Sequence, residues 1–167
     1  MPKRSRGFTL LELMVALAII MIIAVLILVN YRQGQKNYIL TQAAQALVGN
    51  LREAQNMAFT SAEVSGQPNI GGFGIRILSD SSYQLFLNTS SDADGCPTGT
   101  RTDLGNIISL PSGISINNTN TNVFYAPPDP KTCISTGNPS ITYTLTNTST
   151  GKSTTVIVNK YGVIDVQ

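Results

Sequence analysis

From residue 8 to residue 29 the chain is apolar almost without interruption, and Glu12 is the one charged residue in that run. Twenty-two residues at a helical rise of ~1.5 Å are enough to cross a hydrocarbon core of ~30 Å. Beyond the run the pattern turns from continuous to periodic. Leu40, Ala43, Ala44, Leu47, Leu51, Ala54 and Ala58 recur at spacings of three and four, while Arg32, Lys36, Gln42, Gln45, Asn50 and Glu53 fall mostly elsewhere. A narrow apolar stripe of this kind predicts a helix that continues to about residue 61 and rests one face on a folded domain. No proline interrupts it before Pro68.

From Gly66 the texture changes to short β-branched and aromatic runs broken by turn residues. These predict strands over residues 73–78, 83–88, 107–110, 114–116, 123–125, 141–146, 154–159 and 163–166. Ser79-Asp80-Ser81-Ser82, Pro111-Ser112-Gly113, Ser149-Thr150-Gly151-Lys152 and Tyr161-Gly162 supply turns, and the last two pairs of strands read as hairpins. The expected fold is α+β: a long amino-terminal helix, transmembrane in its first half, packed on an antiparallel sheet or on two packed sheets.

Charge alters this picture in one respect. The formal net charge is +2, but Lys3, Arg4 and Arg6 all precede Gly7. From Glu63 onward five basic residues face seven acidic ones, so the β-rich part carries a net charge of −2. An acidic domain has no general attraction for phosphate backbones. The basic residues before Gly7 place the amino terminus in the cytoplasm and everything after Val29 outside. Histidine is absent. Its absence removes the commonest general base and metal ligand, and with them a Ser-His-Asp triad or a His-containing zinc site. Two cysteines, Cys96 and Cys133, lie downstream of the membrane segment, where an even count fits one disulfide in an oxidising compartment.

Two ordinary readings of the amino terminus fail. A secretory signal has an apolar region of about 7–15 residues ending in a small-residue cleavage site. Here the run is longer, and Val29-Asn30-Tyr31-Arg32 offers no such site. A plain anchor seldom holds a glutamate, because an intramembrane carboxylate costs several kcal/mol, so Glu12 needs a partner.

The segment Arg6-Gly7-Phe8-Thr9-Leu10-Leu11-Glu12 closely resembles the class III signal of type IV prepilins and pseudopilins. In that family a prepilin peptidase cuts after the glycine, on the cytoplasmic side, and methylates the new amino terminus. The resemblance implies cleavage between Gly7 and Phe8, N-methylation of Phe8, and a mature chain whose fifth residue is Glu12. The new amine and the Glu12 carboxylate, both poorly solvated, attract strongly in a low dielectric. Within one helix they are neighbours. In a filament Glu12 meets Phe8 of the adjacent subunit, which is the arrangement the family favours. This chain departs from many members in having Val29-Asn30-Tyr31 and no proline at the outer end of the apolar run. Gly34 is its nearest helix weakener.

A looser resemblance covers most of the chain. Residues 44–47 and 51–58, Ile108-Ser109-Leu110-Pro111-Ser112-Gly113-Ile114, and Val156-Ile157-Val158-Asn159-Lys160-Tyr161-Gly162-Val163-Ile164 look like the GspH/FimT-type minor pilins. Some FimT-like pilins bind DNA through arginines near the carboxyl terminus. The corresponding place here reads Gly162-Val163-Ile164-Asp165, without arginine, which argues against direct DNA binding.

Other motifs are weaker. Asp92-Ala93-Asp94-Gly95 resembles the start of a calcium loop, and Asn88, Asp92 and Asp94 offer hard oxygen ligands. Cys96-Pro97 follows where further ligands belong, so an Asp/Gly turn is the expected reading and no metal is assigned. Gly71-Gly72-Phe73-Gly74 lacks the spacing of a dinucleotide loop. Asn88-Thr89-Ser90, Asn117-Asn118-Thr119 and Asn147-Thr148-Ser149 fit the glycosylation pattern by chance composition.

These readings predict a cleaved leader over residues 1–7, a helix over 8–62 that is transmembrane over 8–29, and an extracytoplasmic β-rich domain over 63–167. The expected role is structural and needs no cofactor: a minor pilin or pseudopilin of a type IV pilus or type II secretion filament. Its expected partners are the prepilin peptidase, other pilin subunits, the membrane and an assembly platform, with nucleic acid argued against. Its expected location is the bacterial inner membrane, single-pass with the carboxyl-terminal domain outside, and then a pilus or pseudopilus at the cell surface. Two alternatives stand beside this: the major pilin of an adhesive or motility pilus, and a surface- or DNA-binding minor pilin in competence.

Overall fold

The computed structural model of the chain describes residues 9–64, 66, 69–127 and 131–167. The chain divides into two compact units, Met1–Lys36 and Asn37–Gln167.

A single helix, α1 (Leu10–Phe59), runs without a break past Gly34. In the first unit its apolar window Leu10–Ile27 has a mean hydropathy of 3.1 and none of it is buried. Leu10, Leu11, Met14, Ile20 and Met21 are each at least 60% exposed, so this surface calls for lipid or neighbouring helices.

In the second unit the helix carries the stripe read from the sequence. Leu40, Ala43, Ala44, Leu47, Leu51, Ala54 and Ala58 are all buried, and Val48 joins them. Four of the eight are alanines, whose small side chains let the sheet backbones approach closely. The stripe enters one core with Phe73, Ile75, Ile77, Tyr83, Leu87, Val123 and Tyr125 from one sheet and Ile116, Ile141, Tyr143, Leu145, Val156 and Val158 from another.

The first sheet has five antiparallel strands in the order β3-β2-β1-β5-β6. They are β1 (Gly72–Ser79), β2 (Ser82–Asn88), β3 (Arg101–Ser109), β5 (Asn122–Ala126) and β6 (Lys131–Ile134). The second has four, β4-β7-β8-β9, from β4 (Ile114–Ile116), β7 (Ser140–Asn147), β8 (Ser153–Asn159) and β9 (Ile164–Val166). The α+β expectation holds, in its two-sheet form, and the last pairs are hairpins: Ile141 opposes Val158, and Val158 opposes Ile164.

Two stretches differ from the sequence reading. Residues 101–106 are strand because they pair with β2 from Asn88 to Leu85. They escaped detection because β3 is an edge strand with a polar, largely exposed face and a register slip near Gly105, whose φ is +65°. β6 is four residues long and also an edge.

Tyrosine hydroxyls sit in this core. Asn50 donates from Nδ2 to Tyr83 Oη at 2.8 Å, tying α1 to β2. Burial raises the pKa of Tyr83 and Tyr125 above the ordinary value of 10.0 and pushes that of Tyr143 up to about 12. A raised folded-state pKa means that the neutral form is the one the fold accepts. The associated stability is complete below pH ~10 and is lost as pH rises from there towards the folded values. The second unit is expected to lose its cooperative thermal transition between pH ~10 and ~12, followed by circular dichroism with tyrosine absorbance at 295 nm. Unchanged melting at pH ~12 would contradict this.

Candidate functional site

The amino-terminal signal begins outside the described residues, where Gly7 and Phe8 lie, and continues into the start of α1. The Thr9 Oγ1 atom accepts the Glu12 backbone N–H at 3.3 Å, and the Thr9 carbonyl accepts the Leu13 N–H at 3.2 Å. Thr9 is therefore the N-cap, and Thr9-Leu10-Leu11-Glu12 has the spacing of a capping box. This local reason for a glutamate three residues after a threonine was legible and complements charge pairing. Glu12 stands in the first helical turn, where the exposed N–H groups and the helix dipole favour an anion. Its carboxylate has no partner among the described residues.

The second candidate feature, the cysteine pair, is joined: Cys96 and Cys133 form a disulfide across 37 positions of sequence. Cys96 belongs to the long connection from β2 to β3, and Cys133 to β6 on the far edge of the same sheet.

The same connection explains the aspartates. Asp92 Oδ1 accepts the N–H groups of Asp94 at 3.0 Å and of Cys96 at 2.7 Å. Gly95, at φ +80°, completes the turn. One carboxylate oxygen thus organises the backbone that presents Cys96. Asn88 is buried with its Oδ1 accepting the Ser90 N–H. Among the described residues no group of three or more His, Cys, Asp or Glu side chains comes together for a metal ion.

Of the three glycosylation-like triplets, two carry asparagines committed to folding. Asn88 and Asn147 are about 5% and 4% exposed. Asn147 Oδ1 accepts the Ser149 and Thr150 N–H groups in the β7–β8 turn. In the third, Asn117 Oδ1 accepts the Thr144 N–H at 2.6 Å. Gly162 lies in the β8–β9 turn at φ +78°, where Gln55 Nε2 of α1 donates to its carbonyl. The segment that carries arginines in some relatives of the resembled family is here a helix-docked turn leading into β9.

One family model matches the chain, the prokaryotic N-terminal methylation motif, over residues 2–28. No curated protein and no solved structure matches it. The matched segment takes in Lys3, Arg4, Arg6, Gly7, Phe8, Glu12 and the whole of the unburied apolar window Leu10–Ile27.

Proposed function

We propose that the chain is a type IV pilin-like structural subunit, trimmed by a prepilin peptidase after Gly7, N-methylated on Phe8, and assembled with other subunits into a filament. The observation that carries this is the methylation motif over residues 2–28, whose apolar helical part, Leu10–Ile27, has nothing covering it among the described residues. A monomer cannot leave such a surface in water. It lies in lipid while the subunit waits and against neighbouring helices once assembled. The leader basics orient the helix with the Asn37–Gln167 unit outside the inner membrane. The role is mechanical rather than catalytic.

Within that class the GspH/FimT-like stretches favour a minor subunit of a type II secretion or type IV pilus filament. The acidic β unit and the arginine-free β8–β9 turn weigh against direct DNA binding. Mass spectrometry of the protein isolated from its native membrane tests the reading. A chain starting at N-methyl-Phe8 is the expected result, and an intact leader on the assembled protein would refute it.

The charge pairing has its own test. Glu12→Val is expected to leave membrane insertion intact, since it raises the apolarity of the span. It removes the carboxylate that would meet the Phe8 amine of a neighbour. Incorporation into sheared filaments is expected to fall at least tenfold, the equivalent of ~1.4 kcal/mol per subunit contact. Filament content equal to that of the parent chain would remove the pairing from the mechanism.

A further inference from the structure

The five-stranded sheet has a second apolar face, turned away from α1. On β1, β2 and β5 the side chains of Phe73, Ile75, Tyr83, Leu87, Val123 and Tyr125 enter the main core. The alternate positions point the other way, and there Phe86, Phe124 and Ala126 form a separate buried cluster with Cys133 packed against it. Register explains the row. Phe86 opposes Gly74, Gly74 opposes Phe124, and Phe124 opposes Cys133. The two rings lie 5.9 Å apart between centroids, over a strand that has glycine beneath them. A Cβ on Gly74 would come within 2.8 Å of the Phe86 ring, and one on Gly72 within 2.6 Å of the Phe124 ring.

A pair of phenylalanines on an outer face needs a cover, and residues 89–100 lie across it. This connection leaves β2 and must return to β3 beside it, so a tight hairpin would have sufficed. Instead it crosses the sheet to the opposite edge. Near its start, Ser90 passes so close to Gly71 that no side chain would fit there. Near its middle, the Cβ position of Gly95 falls 2.6 Å from Lys131 Cβ and 3.5 Å from Ala126 Cβ. Lys131 Nζ donates to the Ala93 carbonyl at 2.6 Å, and Cys96 is bonded to Cys133. Phe86 and Phe124 are about 1% and 0% exposed. The strap itself is thin. Asp92, Ala93, Asp94, Thr98, Gly99 and Thr100 are exposed. Its internal bonds join Thr89 with Thr100, Ser90 with Thr98, Ser91 with Pro97, and Asp92 with Asp94, Gly95 and Cys96; they shape the strap as a small hairpin but do not tie it to the face beneath. It brings no large apolar side chain to the face it covers.

We propose that residues 89–100 are an oxidation-gated strap: the Cys96–Cys133 disulfide holds it shut over the Phe86–Phe124 face, and the dithiol form leaves that face open. Closure joins the two sulfurs. The two thiols lose two protons and two electrons to an acceptor disulfide of the thiol–disulfide oxidoreductase class, which becomes a dithiol. Opening is the reverse, with a small dithiol as donor. The outer face is thereby sealed only after the β unit reaches an oxidising compartment. A subunit still reduced displays an aromatic patch that marks it as unfinished.

The test is hydrogen exchange with mass-spectrometric readout on the full chain in detergent, before and after dithiothreitol. A parallel measurement uses the Cys96→Ser, Cys133→Ser double variant without reductant. The expected result is local. Amides of residues 89–100 exchange at least tenfold faster in the reduced chain and in the variant, and peptides containing Phe124 follow. Those of β7 and β8 keep their rates. Strap amides that stay protected without the disulfide would overturn the proposal, because the strap would then be held by its own contacts. Uniform acceleration across both sheets would overturn it equally, because the disulfide would then be a general staple.

Discussion

A Gly7→Ala chain is expected to remain at precursor length in the membrane, with the cleaved fraction reduced at least tenfold in an immunoblot of membrane fractions. The residue before the scissile bond contributes the carbonyl that is attacked. Glycine leaves its α-carbon bare, so a catalytic group can approach the backbone closely, and a methyl group there stands in the path. A tenfold loss corresponds to ~1.4 kcal/mol of lost transition-state stabilisation, a small amount for a steric obstruction at the reacting centre. The consequence reaches further than the cut. Without cleavage no amine forms at Phe8, and Glu12 keeps only the helix N-terminus for compensation. At an effective dielectric of ~20 a pair at ~4 Å is worth ~4 kcal/mol, so on the proposed pairing the uncut subunit forfeits a contact of that size. Gly7→Ala and Glu12→Val should therefore both deplete filaments but differ in the membrane, the first as a longer precursor and the second as a trimmed chain. Normal trimming of Gly7→Ala would count against the proposed processing.

What the sequence disclosed follows from how local each signal is. The stripe from Leu40 to Ala58 was legible because helical periodicity is fixed by geometry, and each of its residues is buried. Strands buried on one face, such as Ile141-Thr142-Tyr143-Thr144-Leu145, declare themselves by alternation. Residues 101–106 of β3 and the four residues of β6 do not, because their polar or short runs lack an alternation of their own and owe their structure to a partner strand. Arg101-Thr102-Asp103 is strand because Leu87 and Phe86 are opposite it. The cysteine count suggested a bridge. It could not reveal that the connection from β2 passes β1 and β5 to bring Cys96 to Cys133 on β6, which depends on sheet order. Two signals were present and unused. Thr9 and Glu12 have capping-box spacing. Gly72 and Gly74 interrupt a strand beside Phe73, where glycine marks a close approach by another group.

Gly74 gives the sharpest test of the packing in the β unit. Gly74→Ala adds one methyl group in the middle of β1, between two partner strands. Its Cβ would overlap the Val123 carbonyl of β5 and lie 2.8 Å from the Phe86 ring. The ring is the end of a side chain, but it is buried and stacked on Phe124, so it has nowhere to turn. The carbonyl belongs to a ladder that spans β1 and β5 from Phe73 to Arg76 and cannot shift without loosening that pairing. Overpacking of this kind costs ~3 kcal/mol, and a backbone clash puts it at the upper end of the usual range. The melting temperature of the full chain is expected to fall by roughly 10 °C. Phe86→Ala combined with Gly74→Ala separates the two obstacles, since it empties the ring's place and leaves the carbonyl where it was. The double variant is expected to recover little of the loss, because the backbone overlap persists and the aromatic pair is gone. A single Gly74→Ala variant melting within ~2 °C of the parent would show that β1 and β5 can part more easily than their register implies.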